Sequence, residues 1–468
     1  MQKTRVRRAG ALLVGLALVA AACGDDDDDA PSAATTEAPA TTAAAATTEA
    51  PATTAAPATT EAAPATTAAG TEAPGTTAAA GGGGELAGMK GTTPKGTDVS
   101  AWIPAVNDFW VAKGNPELTD FNYAAESYDA VIVIALAVQA AQDDGSAHAA
   151  LINGITKDGE KCTTYADCLA IIEAGGDPDY DGISGPLDFN GNGEPLKGSY
   201  AVLTFGDDNR LTDDETLVTA ESPESSIVED VPVTAERAGD GVLKIGSLLP
   251  ETGSLAFLGP PEFAGVEYAI DEINKAGGVL GADVEYTQGD SGDTSTDTAT
   301  VTSTRLLGEG VDAITTAGVT MFSPANTSPA LSTYDDKGLY FRDAPPDGLQ
   351  GAIVSGLVQE DGNASVFILN LDDAYGNGIG DVVETVLTDA GVEVLGHIAY
   401  DPTAASYDAE VGEVVAADPD AVVLISFDEG SKILRTAVEQ GIGPTVKMWY
   451  GTDGNMGNAL GENFDAGK

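Results

Sequence analysis

The sequence predicts an α/β protein whose globular part folds as two lobes. Short apolar strands alternate with amphipathic helices through the second half of the chain, the pattern of parallel sheets covered on both faces. The first half is richer in helix, with one long and mostly apolar segment from Tyr123 to Ala141. Roughly 380 residues of globular composition exceed what one hydrophobic core usually holds, so two cores are expected.

In chain order, Lys3, Arg5, Arg7 and Arg8 precede an apolar run from Ala9 to Ala22, and small residues lead into Cys23. This is the layout of a secretory signal, with an apolar run too short for a bilayer-spanning helix of about 20 residues. Ala20-Ala21-Ala22-Cys23 resembles a bacterial lipobox, with Ala where Leu is more usual. That resemblance implies an acylated Cys23 at the mature N-terminus and anchorage to the membrane. Ordinary cleavage near an A-x-A site is the alternative. No later segment is expected to span a membrane. Residues 23–84 hold an acidic run and TTEAPATT-type repeats almost without large apolar side chains. Such a stalk cannot bury enough surface to offset its ordering entropy, and its Thr and Pro allow glycosylation.

Within the globular part, Tyr200 to Phe205 reads as an edge strand after the turn-rich Asn190 to Gly193. Val242 to Gly246 is a predicted strand. Phe263, Val266, Ile270 and Ile273 then recur at helical spacing before a Gly277-Gly278 stop. Val284 to Gln288, Ser365 to Leu371, Val392 to Ile398, Ala421 to Ser426 and Val446 to Tyr450 continue the strands. A helix from about Ile379 turns Val382, Val383, Val386 and Leu387 inward.

Composition narrows the function. The formal charge is −53, from 74 acidic and 21 basic residues. Phosphate backbones would repel such a surface, so nucleic acid is not an expected partner. Of three cysteines, Cys23 belongs to the signal junction, and Cys162 and Cys168 are spaced to close a small disulfide loop in an exported protein. That leaves no thiol for catalysis or metal. His148 and His397 are the only histidines, and both are expected at the surface. No metal, no cofactor and no enzymatic activity are therefore predicted.

The run from Lys244 to Gly281 (KIGSLLPETGSLAFLGPPEFAGVEYAIDEINKAGGVLG) resembles the opening strand, ligand loop and first helix of type I periplasmic-binding proteins, in the Leu/Ile/Val-binding branch. SPANTSPALS (Ser323 to Ser332), FRDAPPDGLQG (Phe341 to Gly351), LDDAYGNG (Leu371 to Gly378) and MWYGTDGNMGN (Met448 to Asn458) resemble later ligand-facing loops of that family. Gly88 to Pro94, Phe121 to Ala130 and Tyr180 to Pro195 resemble its closing third, yet here they come first. The resemblance thus implies a circularly permuted two-lobed fold: residues 85–212 as the family's C-terminal part, 213–240 as an acidic joining linker, and 241–468 as its N-terminal part. A recombined gene is the bland alternative. Val311 to Ile314 runs almost directly into Gly318 to Phe322, so a ligand loop and its helix are missing relative to the family.

Carried over residue by residue, the resemblance places Asn326 and Thr327 on the ligand's carboxylate side and Asp347 at the crossover between lobes. Asp453 matches the ammonium-binding acid, Tyr375 and Phe427 the second-lobe aromatics, and Phe257 and Leu258 the first loop. All follow predicted strands, where open α/β sheets place ligands. Two other motifs are weak. Gly376-x-Gly378-x-Gly380 lacks the dinucleotide-binding spacing, and Asp177-x-Asp179-x-Asp181-Gly182 with Asp188 only imitates a calcium loop. The function expected is extracytoplasmic capture of an amino acid or amide for an ABC-type permease. A sensory or structural lipoprotein with a degenerate pocket is the alternative.

Overall fold

The computed structural model describes residues 84–96, 99–212, 214–222, 227–292, 298–308 and 315–467. The signal, Cys23, the stalk and the shortened stretch at Val311 to Ile314 lie outside the described residues.

The elements run β1 (Lys90–Pro94), α1 (Trp102–Ala112), α2 (Ala124–Ala141), α3 (Ile152–Ile155), β2 (Glu160–Cys162), α4 (Tyr165–Glu173), β3 (Pro178–Tyr180), β4 (Lys197–Thr204) and β5 (Thr216–Glu221). There follow β6 (Lys244–Gly246), α5 (Gly259–Lys275), β7 (Glu285–Thr287), α6 (Thr298–Gly308), β8 (Met321–Ser323), β9 (Tyr340–Arg342), α7 (Asp347–Glu360) and β10 (Ser365–Leu371). The chain closes with α8 (Ala374–Asp389), β11 (Glu393–Tyr400), α9 (Asp408–Ala417), β12 (Ala421–Ile425), α10 (Gly430–Glu439), β13 (Met448–Gly451) and α11 (Asn458–Ala466).

Two hydrophobic cores divide these elements into two lobes. The second lobe is built on a mixed seven-stranded sheet in the order β11-β10-β12-β13-β1-β4-β5. Its central strands β10 and β12 are almost wholly buried, as their unbroken apolar runs require when both faces are covered. Trp449 anchors this core, fully buried, with its indole N–H donating to the Ile442 carbonyl at 2.8 Å. Truncating such a side chain typically costs about 3–5 kcal/mol. The parallel part of the sheet ends on β1, which pairs with β13 and, antiparallel, with β4. Strand β4 is thus interior and not an edge, because β5, from the acidic stretch after residue 212, covers its other side.

The first lobe packs around α2 and α5. The helices cross so closely that a Cβ on Gly265 would meet the Ala124 carbonyl oxygen at 2.1 Å, so only glycine fits there. By length and mean hydropathy α2 could cross a membrane, contrary to the expectation for the globular part, but 78% of it is buried inside the fold. Among the described residues the first-lobe strands form only pairs, β2 with β3, β6 with β7 and β8 with β9.

Cys162 and Cys168 form a disulfide, tying β2 to α4. The acidic calcium-like run is instead strand β3 and its bridge, with Lys161 paired to Asp179 at 3.1 Å and Asp181 at 2.9 Å. Neither histidine is a surface group. His148 is 2% exposed, its Nδ1 against the Gly145 carbonyl and its Nε2 against the Thr320 hydroxyl. His397 is half-buried between Glu384 and Asn370.

Candidate functional site

Between the lobes lies a cavity of about 610 Å³, lined from the first lobe by β6, β8, α2 and α5 and from the second by the loops after β10, β12 and β13. Its second-lobe wall is organised by hydrogen bonds at the strand ends. Asn455 donates to the Leu424 carbonyl and the Ser426 hydroxyl and accepts from the Thr452 backbone, tying the loop after β13 to the end of β12. That tie presents Asp453, which is 5% exposed. Asp373 caps α8 by accepting from the Gly376 N–H at 2.7 Å, and so sets Tyr375 in the first turn. Tyr375 stacks on Phe427 with ring centroids 5.3 Å apart and planes at 16°.

Asp453 receives two phenols. Tyr375 donates to its Oδ1 at 3.0 Å, and Tyr123 donates to its Oδ2. Tyr123 precedes α2 with φ of 59°, a left-handed conformation that a bulky side chain rarely adopts. Such strain costs on the order of 1–3 kcal/mol and persists only where the surroundings demand it. Here it turns the first-lobe Tyr123 onto a second-lobe carboxylate. Burial raises the Asp453 pKa, and the two phenols pull it back down.

The first-lobe wall holds Thr327, buried, and Asn326, exposed. Their loop is held by Arg342, whose Nη1 donates to the carbonyls of Asn326 and Ser328 at 3.1 and 2.9 Å. The guanidinium is itself fixed by Glu194, with Nε at 3.0 Å, in an ion pair whose side chains are 1% and 12% exposed. Ser323 accepts from the Asn326 N–H and closes the turn.

Of the eight candidate ligand residues, the cavity brings together Leu258, Asn326, Thr327, Tyr375, Phe427 and Asp453. Phe257 packs beside Tyr123 and Leu258 outside the lining. Asp347 is likewise not in the wall: it starts α7, donating its N–H to the Thr327 carbonyl at 3.0 Å. Burial and the nearby charge of Asp453 push its carboxyl up to about 8. Sequence reading missed Tyr123, Arg342 and Glu194. Tyr123 lay at the start of the long apolar segment and in the family-like stretch Phe121 to Ala130 without being singled out, and the Arg342–Glu194 pair joins segments 148 residues apart.

Among the described residues one trio, Asp381, Glu384 and His397, brings metal-ligating atoms within 4.8 Å. Both acids are exposed, and both His397 ring nitrogens already have partners at 2.7 and 2.8 Å.

Residues 242–467 match the family described as periplasmic binding protein. Over 169 residues the chain is 30% identical to the leucine-, isoleucine-, valine-, threonine- and alanine-binding protein of Pseudomonas aeruginosa, covering 32% of this chain and 45% of that one. It is 28% identical to the chemotactic signal transduction system substrate-binding protein BasB of Halobacterium salinarum, covering 39% and 49%. The chain spans about half the length of the curated relatives it matches. Among solved structures, the branched-chain amino acid transporter substrate-binding protein LivJ of Streptococcus pneumoniae, in complex with isoleucine, aligns at 26% identity. That alignment has a TM-score of 0.42 and covers 48% of this chain and 67% of that one. The leucine-binding protein LivK of Thermotoga maritima gives 22% identity, a TM-score of 0.42 and the same coverages. Through residues 242–467, just under half of its length, the chain is similar to the periplasmic binding proteins.

Proposed function

We propose that the protein captures an amino acid or amide between its lobes for ABC-type uptake, with Asp453 as the ammonium-binding group. The carrying observation is a buried carboxylate that faces the interlobe cavity and is held by a tyrosine from each lobe. Asn326 and Thr327 line the same cavity from the first lobe and suit the ligand's carboxylate. Tyr375 and Phe427 add an aromatic wall, and Leu258 an apolar one. Phe257 and Asp347 stand behind these groups as supports. Closure of the lobes around the ligand is the mechanism.

The location proposed is extracytoplasmic, on the membrane through acylated Cys23, with residues 23–84 as spacer and an ABC-type permease as partner. Circular permutation is part of the same reading. Its support is that β1 continues the parallel sheet next to β13, and that the two ends of the globular part meet on Asn209. The Asn209 Oδ1 accepts from the N–H groups of Gly84 and Leu86, while its amide donates to Asp465 at 2.7 Å. The family match also begins only at residue 242. A sensory role in place of uptake is favoured by one observation, the chemotactic relative BasB.

Isothermal calorimetry of the full mature chain against a panel of amino acids and amides tests the reading. A saturable heat with at least one of them is expected; no heat and no melting shift with any would overturn it.

A further inference from the structure

The cavity holds a second acid that the proposed amino-acid site does not use. Glu262 lies in the first turn of α5, is 0% exposed, and lines the same cavity as Asp453. Among the described residues neither of its carboxyl oxygens has a hydrogen-bond partner. Ser127, also buried and also in the lining, has an equally unpartnered hydroxyl. Ser127 sits at a close approach of α2 and α5, since a Cβ on Gly265 would lie 3.1 Å from the Ser127 Cβ, and Glu262 precedes Gly265 by one turn of α5.

Ser127 is also one turn beyond Tyr123 on α2, about 6 Å further along the helix. Tyr123 in turn touches Asp453. A polar track therefore leads from Asp453 past Tyr123 to Ser127 and Glu262. Beside it the wall is apolar, with Leu258, Val131, Ile134 and Ile245. A buried acid and hydroxyl without partners cost free energy, and such groups in a native fold call for an explanation. Among the described residues no Lys or Arg lines this cavity apart from Lys244, which is paired with Asp240.

We propose that the cavity takes a diamino acid rather than a purely aliphatic one: the α-ammonium at Asp453, the methylenes along the apolar wall, and the side-chain ammonium at Glu262 and Ser127. This rests on the reading of Asp453 given above. The ligand's second cation would supply the partner that Glu262 lacks, and the methylene spacer would cover the stretch between the two acids. Burial and the neighbouring Glu126 hold the Glu262 carboxyl well above the usual carboxylate range, so a cation arriving there also makes ionisation favourable.

The test is calorimetry of the full mature chain with L-lysine, L-ornithine, L-norleucine and L-leucine. Norleucine has the lysine skeleton without its side-chain amine. In the parent protein lysine or ornithine should bind at least tenfold more tightly than norleucine, a margin of about 1.4 kcal/mol. Glu262→Gln should cut that margin to near unity, and Ser127→Ala should narrow it. If norleucine or leucine binds as tightly as both diamino acids, the diamino-acid inference falls and the amino-acid reading stands. The diamino-acid inference also falls if Glu262→Gln weakens all four ligands alike. If none of the four binds and the wider panel is also silent, both fall together. The parent lysine-to-norleucine ratio decides the matter even if the variants do not fold.

Discussion

Replacing Asp453 with Ala should weaken ligand binding by roughly 100-fold, about 2.7 kcal/mol. The side chain is 5% exposed and accepts from two phenols, Tyr123 of one lobe and Tyr375 of the other. Its removal takes away the counter-charge of a buried ammonium, and a hydrogen bond to a charged group contributes about 1.5–3 kcal/mol. It also leaves Tyr123 without its acceptor, whereas Tyr375 keeps the Thr452 hydroxyl at 2.6 Å. The second loss falls on the closed lobes, because Tyr123 bridges them. Asp453→Asn preserves shape and one acceptor oxygen but no charge, so it should lose on the order of tenfold. Thr327→Ala removes one hydroxyl and should cost about 1–2 kcal/mol. Calorimetry with the tightest ligand of the panel measures all three, and thermal melts of the unliganded variants separate folding from binding. An Asp453→Ala protein that melts cooperatively and binds within about threefold of the parent would refute the site.

Three further outcomes are expected. A fatty-acid probe should label the protein in cells and fail to label Cys23→Ser; equal labelling would remove the lipid anchor from the account. Glu126 is buried and desolvation pushes it from 4.5 up to about 8, so its stabilising contribution is full below about 4.5 and is lost as pH rises through 8. Glu126→Gln should therefore gain on the parent in melts at pH 8, by as much as a few kcal/mol, with the gap closing towards pH 5. A reordered chain that keeps β5, residues 241–467 followed by 85–240, should fold to the same melting temperature within a few degrees, since its new junction lies where Asn209 already gathers both ends. Failure of that chain to fold would count against permutation.

Local pattern was enough for much of the second lobe. Ser365 to Leu371 reads as a strand because it is a short, almost unbroken apolar run, and the structure ends it at the same residues with every one after the first buried. The helix from Gly259 to Lys275 follows directly from its apolar spacing and its glycine stop. Helix α8 begins five residues before Ile379, because Asp373 supplies a cap where the sequence suggested only a loop. Six of the eight candidate ligand residues share one cavity for a related reason: they follow strand ends, and strand ends of a parallel sheet converge.

What sequence alone determined about this protein is what depends on neighbours along the chain: spacer composition, strand and helix periods, the small disulfide loop. Tertiary structure alone decided which groups became partners across long separations. Strand β4 lost its edge to a stretch assigned as linker. His148 went inside against Thr320, 172 residues away. Tyr123 reached Asp453 across 330 residues, and Glu262 was left buried beside the same cavity without a partner among the described residues. Hydrogen bonds and desolvation act through space over a few ångströms, and no spacing along the chain records which distant segment will arrive there.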